Sequence, residues 1–330
     1  MSSSPHLRPV EPDELDALHQ LITQIERAES QPYLTSREEV DELFGDVINP
    51  AEENLRVLDD DGRLTGWAQV KHSPSGIKLE RAFVHGGIHP DHKRTGRGTQ
   101  ILEWQTARAT DRLADSPNDL EAIILAERYE WQDGKRSLFS AGGYEPARYF
   151  DELQRSLTHP IPHPVPLDGI DILPWAANHF EPSRLVYNDA FLDHWGTTPR
   201  SEAAWRSDVM ESFGRRLDLS FVAYEGDMMV GYCLNAHYPD DEEITGRRDG
   251  WVDSICTLAS HRGRGIASNL IVHSLQAFSQ FGLTSSMLGV DSDNPTGAYG
   301  IYERLGYRPL HRQVAHLRTV RTGAAPVEMF

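Results

Sequence analysis

Trp251-Val252-Asp253-Ser254-Ile255-Cys256-Thr257-Leu258, then His261-Arg262-Gly263-Arg264-Gly265-Ile266-Ala267, is the stretch on which the reading of this 330-residue chain turns. The first segment reads as a buried strand, the second as a tight basic loop, and Ser268 to about Phe281 as a helix. A second strand from Ser286 to Val290, then Asp293-Asn294-Pro295, lead to a short helix closing on Ile301-Tyr302-Glu303-Arg304-Leu305-Gly306-Tyr307. Small residues at Gly263, Gly265 and Ala267 let the backbone approach a ligand closely. The N–H groups at the start of the following helix have no intrahelical partner, so the loop suits a phosphate or pyrophosphate, and the flanking arginines add positive charge. A phosphate-bearing cofactor is the first inference.

Two familiar phosphate loops do not fit. A P-loop ends in Gly-Lys-Ser/Thr, which is absent here. A dinucleotide fingerprint needs a third small residue and an acid about 20 residues on, and Gly263-Arg-Gly265-Ile-Ala-Ser268 only half satisfies it. Arg262-Gly263-Arg264-Gly265-Ile266-Ala267 resembles the acyl-coenzyme A loop of the GNAT superfamily, Gln/Arg-x-x-Gly-x-Gly/Ala, at every fixed position. Downstream, Asn294, Ala298 and Tyr302, closing on Gly306-Tyr307, are similar to that family's Asn-x-x-x-Ala-x-x-x-Tyr-x-x-x-Gly-aromatic segment. Each block alone has an ordinary reading, a plain turn or an Asn-Pro helix start. Their order within a short span makes the match specific.

The pattern occurs twice. His89-Pro90-Asp91-His92-Lys93-Arg94-Thr95-Gly96-Arg97-Gly98 precedes a helical run from Thr99 to about Leu113, and Lys93-x-x-Gly96-x-Gly98 is the same loop with lysine leading. Lys93, Gly96, Arg97 and Gly98 are therefore candidates for a second cofactor loop. The segment Leu55–Val70, with its Asp-Gly turn, and the segment Phe221–Asn235 read as matching hairpins. Gly143-Tyr144 mirrors Gly306-Tyr307. The offsets between matching positions are 165, 169 and 163, against a half-length of 165. Between the copies, Pro160, Pro162, Pro164 and Pro166 forbid a helix and favour an extended connector. The expected organisation is an N-terminal domain at 1–156, a linker at 157–166 and a C-terminal domain at 167–330. Each domain would be an α/β fold, a mixed sheet with helices on its faces, opening on a helix at Asp13–Ala28 or Pro182–His194. With Gly143-Tyr144 set on Gly306-Tyr307, Phe139 faces Tyr302, Lys135 faces Ala298 and Trp131 faces Asn294. The first copy lacks the phenol and the carboxamide, so chemistry is expected in the second. This pattern resembles the two-domain GNAT enzymes of the mycothiol synthase type, in which the C-terminal domain is catalytic.

Composition bounds the partners. There is no 18-residue apolar run, and Met1-Ser-Ser-Ser-Pro-His has none of the features of a signal peptide, so a cytoplasmic enzyme without membrane spans is expected. Cys233 and Cys256 are the sole cysteines, both on expected strands, and the 15 histidines show no metal spacing, so neither disulfides nor a metal site is indicated. A net charge of −18 argues against nucleic acid and is compatible with a cationic small-molecule amine. A monomer, as an internal pseudo-dimer, or a homodimer would suit the duplication.

The resemblance implies an acetyl-CoA-dependent N-acetyltransferase. Arg262 to Ala267, including Arg264 and Ile266, would take the pyrophosphate, and Ile255 and Thr257 on the strand edge would hold the pantetheine arm. Asn294 and Ala298 would complete the cofactor site, with Tyr302 as general acid beside the sulfur. Asp253 shares strand parity with Ile255 and Thr257, and burial there would raise its pKa toward that of a useful base. Equally it is a half-exposed aspartate near a strand start, which leaves Glu225, Asp291 or a water-relayed base open. Acyl-CoA chemistry without an amine acceptor, and a non-catalytic acyl-CoA sensor or scaffold, are the competing functions. Tyr302 and Asn294 in one copy favour catalysis.

Overall fold

A computed structural model describes residues 7–45, 50–72, 79–116, 118–192, 197, 199–293 and 298–323. In chain order the elements are β1 (Leu7–Pro9), α1 (Leu15–Ala28), α2 (Arg37–Gly45), α3 (Pro50–Glu53), β2 (Asn54–Leu58), β3 (Leu64–His72), β4 (Leu79–Ile88), α4 (Arg97–Ala114), β5 (Glu121–Tyr129) and α5 (Asp133–Ala141). They continue with β6 (Glu145–Ser156), β7 (Asp171–Pro174), α6 (Phe180–Ala190), α7 (Glu202–Trp205), β8 (Phe221–Glu225), β9 (Met228–His237), α8 (Glu242–Thr245), β10 (Asp249–Thr257), α9 (Ile266–Phe281), β11 (Ser285–Asp291), α10 (Ala298–Arg304) and β12 (Arg308–Arg321). Both expected hairpins form, with Gly62 and Gly226 in left-handed conformations at their turns. No described helix is long and apolar enough to cross a membrane.

The described residues divide into two compact units, 7–148 with 313–323, and 149–312. The first unit's sheet runs β1-β2-β3-β4-β5 and ends on the Gln313–Arg321 part of β12; all neighbours are antiparallel except β4 and β5. The second runs β7-β8-β9-β10-β11 and ends on the Phe150–Ser156 part of β6, with β10 and β11 the parallel pair. Helix α1 buries Leu18, Leu21, Ile22 and Ile25, the single stripe that a half-exposed helix shows. Helix α9 buries Ile266, Leu270, Ile271, Leu275 and Phe278 against the second sheet. In both units a buried tyrosine follows the last short helix and hydrogen-bonds a hydroxyl: Tyr144 with Thr106 at 2.8 Å, Tyr307 with Ser286 at 2.6 Å.

These units do not follow the linear division expected at Ser156. The strand that would have closed the first copy lies against β11 with Leu153 buried beside Leu288, and the chain's last long strand lies against β5 with Val314 and Ala315 buried. Both closing strands are antiparallel neighbours of the fifth strand of a copy, so either can satisfy either sheet edge, and the chain uses them crosswise. Residues 160–166 carry no regular structure, and Arg155 donates to the Pro160 carbonyl (2.7 Å) while Asn269 accepts from the Val165 N–H (2.8 Å).

The exchange has a direct consequence. A fragment 1–156 leaves the backbone groups along the outer edge of β5 unpaired and Ile124 uncovered. It should aggregate or melt without cooperativity, whereas 1–148 joined to 313–323 by a Gly/Ser linker should melt cooperatively. Circular dichroism melts of the two fragments check this, and equal behaviour would show that the first unit does not need the exchanged strand.

Candidate active site

Parallel pairing between β10 and β11 runs from Asp249↔Ser285 to Val252↔Leu288 and stops there. Beyond that point β10 stays paired to β9 as far as Thr257↔Gly231, and β11 stays paired to β6 as far as Asp291↔Phe150. The two strands therefore separate, and the inner edge of β10 loses its partner. Leu258 N–H donates to the Val230 carbonyl at 2.9 Å, so residues 258, 256 and 254 direct their backbone groups toward β9. By the alternation of a strand, the N–H groups of Ile255 and Thr257 face the gap. The Thr257 Oγ1 is buried beside Gly231 of β9 with no hydrogen-bond partner among the described residues.

The loop follows at once. Gly263 has φ +78° and Gly265 φ +82°, the latter capping α9. A Cβ at Gly263 would meet nothing within 4 Å, so the loop's outer surface is open to a ligand. The first-turn N–H groups of Ile266, Ala267 and Ser268 have no intrahelical acceptor and carry the positive end of a 16-residue helix. Arg264 reaches sideways, donating to Glu225 Oε1 (2.8 Å) and the Asp168 carbonyl (3.2 Å). Glu225 is also bonded by His261 Nε2 at 3.0 Å, and these two partners hold its carboxyl below the usual range. Arg262 turns inward, its guanidinium donating to the carbonyls of Ala190 (2.9 Å) and Thr257 (3.4 Å). That side chain braces the loop against α6 and β10, leaving the backbone to face an anion.

Tyr302 lies one turn beyond Ala298 on α10, buried beside Tyr307 with ring centroids 6.2 Å apart. Burial pushes its phenol up, so it holds its proton well past neutrality. Asn294 lies outside the described residues. Asp253 departs from its expected setting: it is the residue at which the β9–β10 register shifts, between Val252 and Ser254, and it is exposed rather than buried. Its carboxylate is engaged by Arg215 Nη2 at 2.6 Å. Arg215 is itself buried, with Nε donating to the Val209 carbonyl at 2.6 Å. No motif marks Arg215, which is 38 positions away from its partner. Asp291 is occupied at the end of β11, accepting from the Asp293 N–H at 3.0 Å. Cys233 and Cys256 are buried thiols pushed up to about 12, inert as nucleophiles.

The first unit repeats the backbone and changes the side chains. Pairing of β4 with β5 stops at Val84↔Ala126, and Gly96 caps α4 at φ +83°. Arg94, at φ +65°, stands where the second loop has Gly263, a conformation that costs roughly 1–2 kcal/mol for a residue with a Cβ. Lys93 is held by Glu29 at 3.1 Å, and Arg97 and Gly98 open the helix. Phe139 is buried on α5 in the place of Tyr302.

A sheet whose central parallel strands part beside a glycine loop at a helix start is the framework of an acyl-CoA acyltransferase. Residues 184–307, within the second unit, match the acetyltransferase (GNAT) family, whose enzymes use acetyl-CoA. The chain is 28% identical over 260 residues to a mycothiol acetyltransferase of Salinispora tropica, covering 74% of this chain and 75% of that one. It is 24% identical to a mycothiol acetyltransferase of Saccharopolyspora erythraea, covering 78% and 83%. Among solved structures, a GCN5-related N-acetyltransferase from Sphaerobacter thermophilus superposes with TM-score 0.75 at 25% identity, covering 96% of both chains. A tandem GNAT protein from the clavulanic acid biosynthesis pathway shares the fold, with TM-score 0.68 at 16% identity over 95% of this chain and 98% of that one. The open Gly263 surface, the unpaired inner edge of β10 and the first turn of α9 all fit the cofactor.

Ala267→Glu tests the loop without straining a glycine. A carboxylate in the first turn of α9 meets the helix dipole favourably, so Tm should hold. It would repel a pyrophosphate, and calorimetry should show acetyl-CoA affinity at this site falling about tenfold or more. Unchanged affinity would move the cofactor away from this loop.

Proposed function

We propose that the second unit transfers the acetyl group of acetyl-CoA to the primary amine of a small molecule, and that the first unit does not carry this reaction. The observation behind the reading is the free edge of β10 leading into the left-handed glycine loop, in a unit that also carries the buried, protonated phenol of Tyr302. The relatives named mycothiol acetyltransferase support a small-molecule acceptor, and a net charge of −18 suits a cationic one. In the first unit Phe139 and Lys135 take the places of Tyr302 and Ala298, which supports the division of labour.

When bound, acetyl-CoA supplies an activated thioester. The loop from Gly263 to Ala267 fixes the pyrophosphate through backbone N–H groups, and the Ile255 and Thr257 edge aligns the pantetheine arm. An N–H of that edge polarises the thioester carbonyl by donating to the oxygen on which charge develops. Asp253 takes a proton from the acceptor's ammonium, directly or through water, and Arg215 orients its carboxylate. The freed amine would form the C–N bond as the C–S bond breaks; Tyr302 would give its Oη proton to the departing sulfur and regain one from the second proton that the new amide nitrogen sheds, directly or through water. The protonated phenol is the form this donation requires.

Two substitutions separate these roles. Tyr302→Phe should lower kcat by about 10- to 10³-fold, the scale of a lost general acid, while acetyl-CoA binding by calorimetry stays as it was. Asp253→Asn keeps the size and can still bond Arg215 through its amide oxygen, but it cannot accept the proton. The ascending limb of the pH profile of kcat/KM should then vanish or move. An Asp253→Asn enzyme with the same limb and rate would make Asp253 structural.

A further inference from the structure

A cavity of about 670 Å³ lies wholly within the first unit, where β4 and β5 have separated. Its wall runs from α1 past the strand ends to the Lys93–Gly98 loop, and Ile25, Trp67, Leu102 and Phe139 supply apolar surface. Its charged groups differ in whether they already have a partner. Lys93 and Lys135 both face Glu29, each at 3.1 Å, and Gln132 Nε2 donates to the same carboxylate at 3.0 Å. Arg128 donates to His316 Nε2 at 3.0 Å and to the carbonyls of Tyr129 and Glu130. Arg94 stands exposed at the loop end.

The acceptors are in the opposite condition. Glu26, on α1, is fixed by the Thr35 N–H (3.0 Å) and hydroxyl (2.5 Å), and it forms no ion pair among the described residues. Burial pushes its carboxyl up to about 6, even with those two bonds and the field of Lys135 opposing the shift. Glu127, on β5, lines the same cavity. Its side chain is exposed into that opening, and the desolvation it still suffers from the surrounding walls raises its carboxyl, with the field of Arg81 acting against this. His85, at the strand separation, is held neutral by burial at about 4, with Lys71 and Lys135 adding to the effect. A neutral imidazole can accept a hydrogen bond. A carboxylate with two fixed donors, no ion pair among the described residues and an apolar cavity beside it lacks one thing, a cation.

We propose that this cavity binds a small primary amine, whose ammonium pairs with Glu26 and whose apolar body fills the space beside Ile25 and Trp67. Further donors on the ligand would find acceptors at Glu127 and His85. The ammonium supplies the charge that Glu26 lacks and makes charge-assisted hydrogen bonds in a site partly shielded from water. The site is separate from the second unit's acetyl transfer, so either proposal can fail alone.

Photolabelling of the full chain with 4-azidobenzylamine, followed by peptide mass spectrometry, locates the site without an activity readout. Label is expected on peptides containing Ile22–Thr35 or Val84–Ile88, removed by excess benzylamine and not by the neutral benzyl alcohol. Glu26→Gln keeps the size and an acceptor oxygen for Thr35, and should reduce that label about tenfold. Should Glu26→Gln lose its cooperative melt, Glu127→Gln and the benzylamine-against-benzyl-alcohol competition on the unaltered protein decide instead. Label confined to other peptides, equal competition by the alcohol, or full labelling of a folded Glu26→Gln protein would each overturn the proposal.

Discussion

Everything at the candidate active site depends on a parallel strand pair that stops pairing. Val252↔Leu288 is the last contact in one sheet and Val84↔Ala126 in the other. Unpaired buried backbone groups are expensive, about 1–3 kcal/mol each, so such a gap persists only if each strand is held firmly on its other side. In the second unit β9 holds β10 to Thr257, and the strand Phe150–Ser156 holds β11 to Asp291. In the first, Gln313–Arg321 holds β5 to Tyr129. The exchanged strands are thus part of what keeps each sheet open. A sheet deprived of its outer strand would have a loose fifth strand free to pair inward and close the gap.

Against this common backbone the two units differ in what their loops are tied to. Gly263 takes a left-handed conformation that a glycine adopts freely, while Arg94 takes it against a Cβ clash. Arg262 braces its loop from behind by bonding backbone carbonyls, whereas Lys93 braces its own from in front by pairing with Glu29. Glu29 further accepts from Gln132 and pairs with Lys135, so the first loop, α1 and α5 are drawn together around one carboxylate. In the second unit the loop's cations turn instead to Glu225 on β8 and to backbone carbonyls. Duplication preserved the fold of the site, and divergence acted on the residues that would meet a ligand.

Local order was legible in the sequence. Hairpins with Asp-Gly and Glu-Gly turns and a glycine loop before an amphipathic helix each have a short-range physical cause, and each forms where expected. Long-range choices were not. Two copies of one closing strand satisfy either sheet equally in sequence, so nothing local says that they cross. Strand parity misplaced Asp253 for a related reason: a register shift between Val252 and Ser254 inserts a residue, and alternation counted through it loses its meaning. With the shift, Asp253 moves into solvent, where a buried arginine meets it. The parity of Ile255 and Thr257, counted beyond the shift, agrees with the direction set by the Leu258 hydrogen bond.

The ion pairs at the two loops set how readily each can admit an anion. The chain is strongly acidic, yet each loop concentrates cations, and in each a glutamate neutralises them: Glu225 with Arg264, Glu29 with Lys93 and Lys135. Arg264 and Glu225 are both more than a third exposed, so solvent screening leaves their pairing worth little. A pyrophosphate, with more charge and more acceptor oxygens, displaces such a partner at small cost. Glu29 is much less exposed and is bonded on three sides, so an anion at the first loop must break more to enter. The same device, a carboxylate standing in for an anion, therefore leaves the second loop ready for the cofactor and restrains the first.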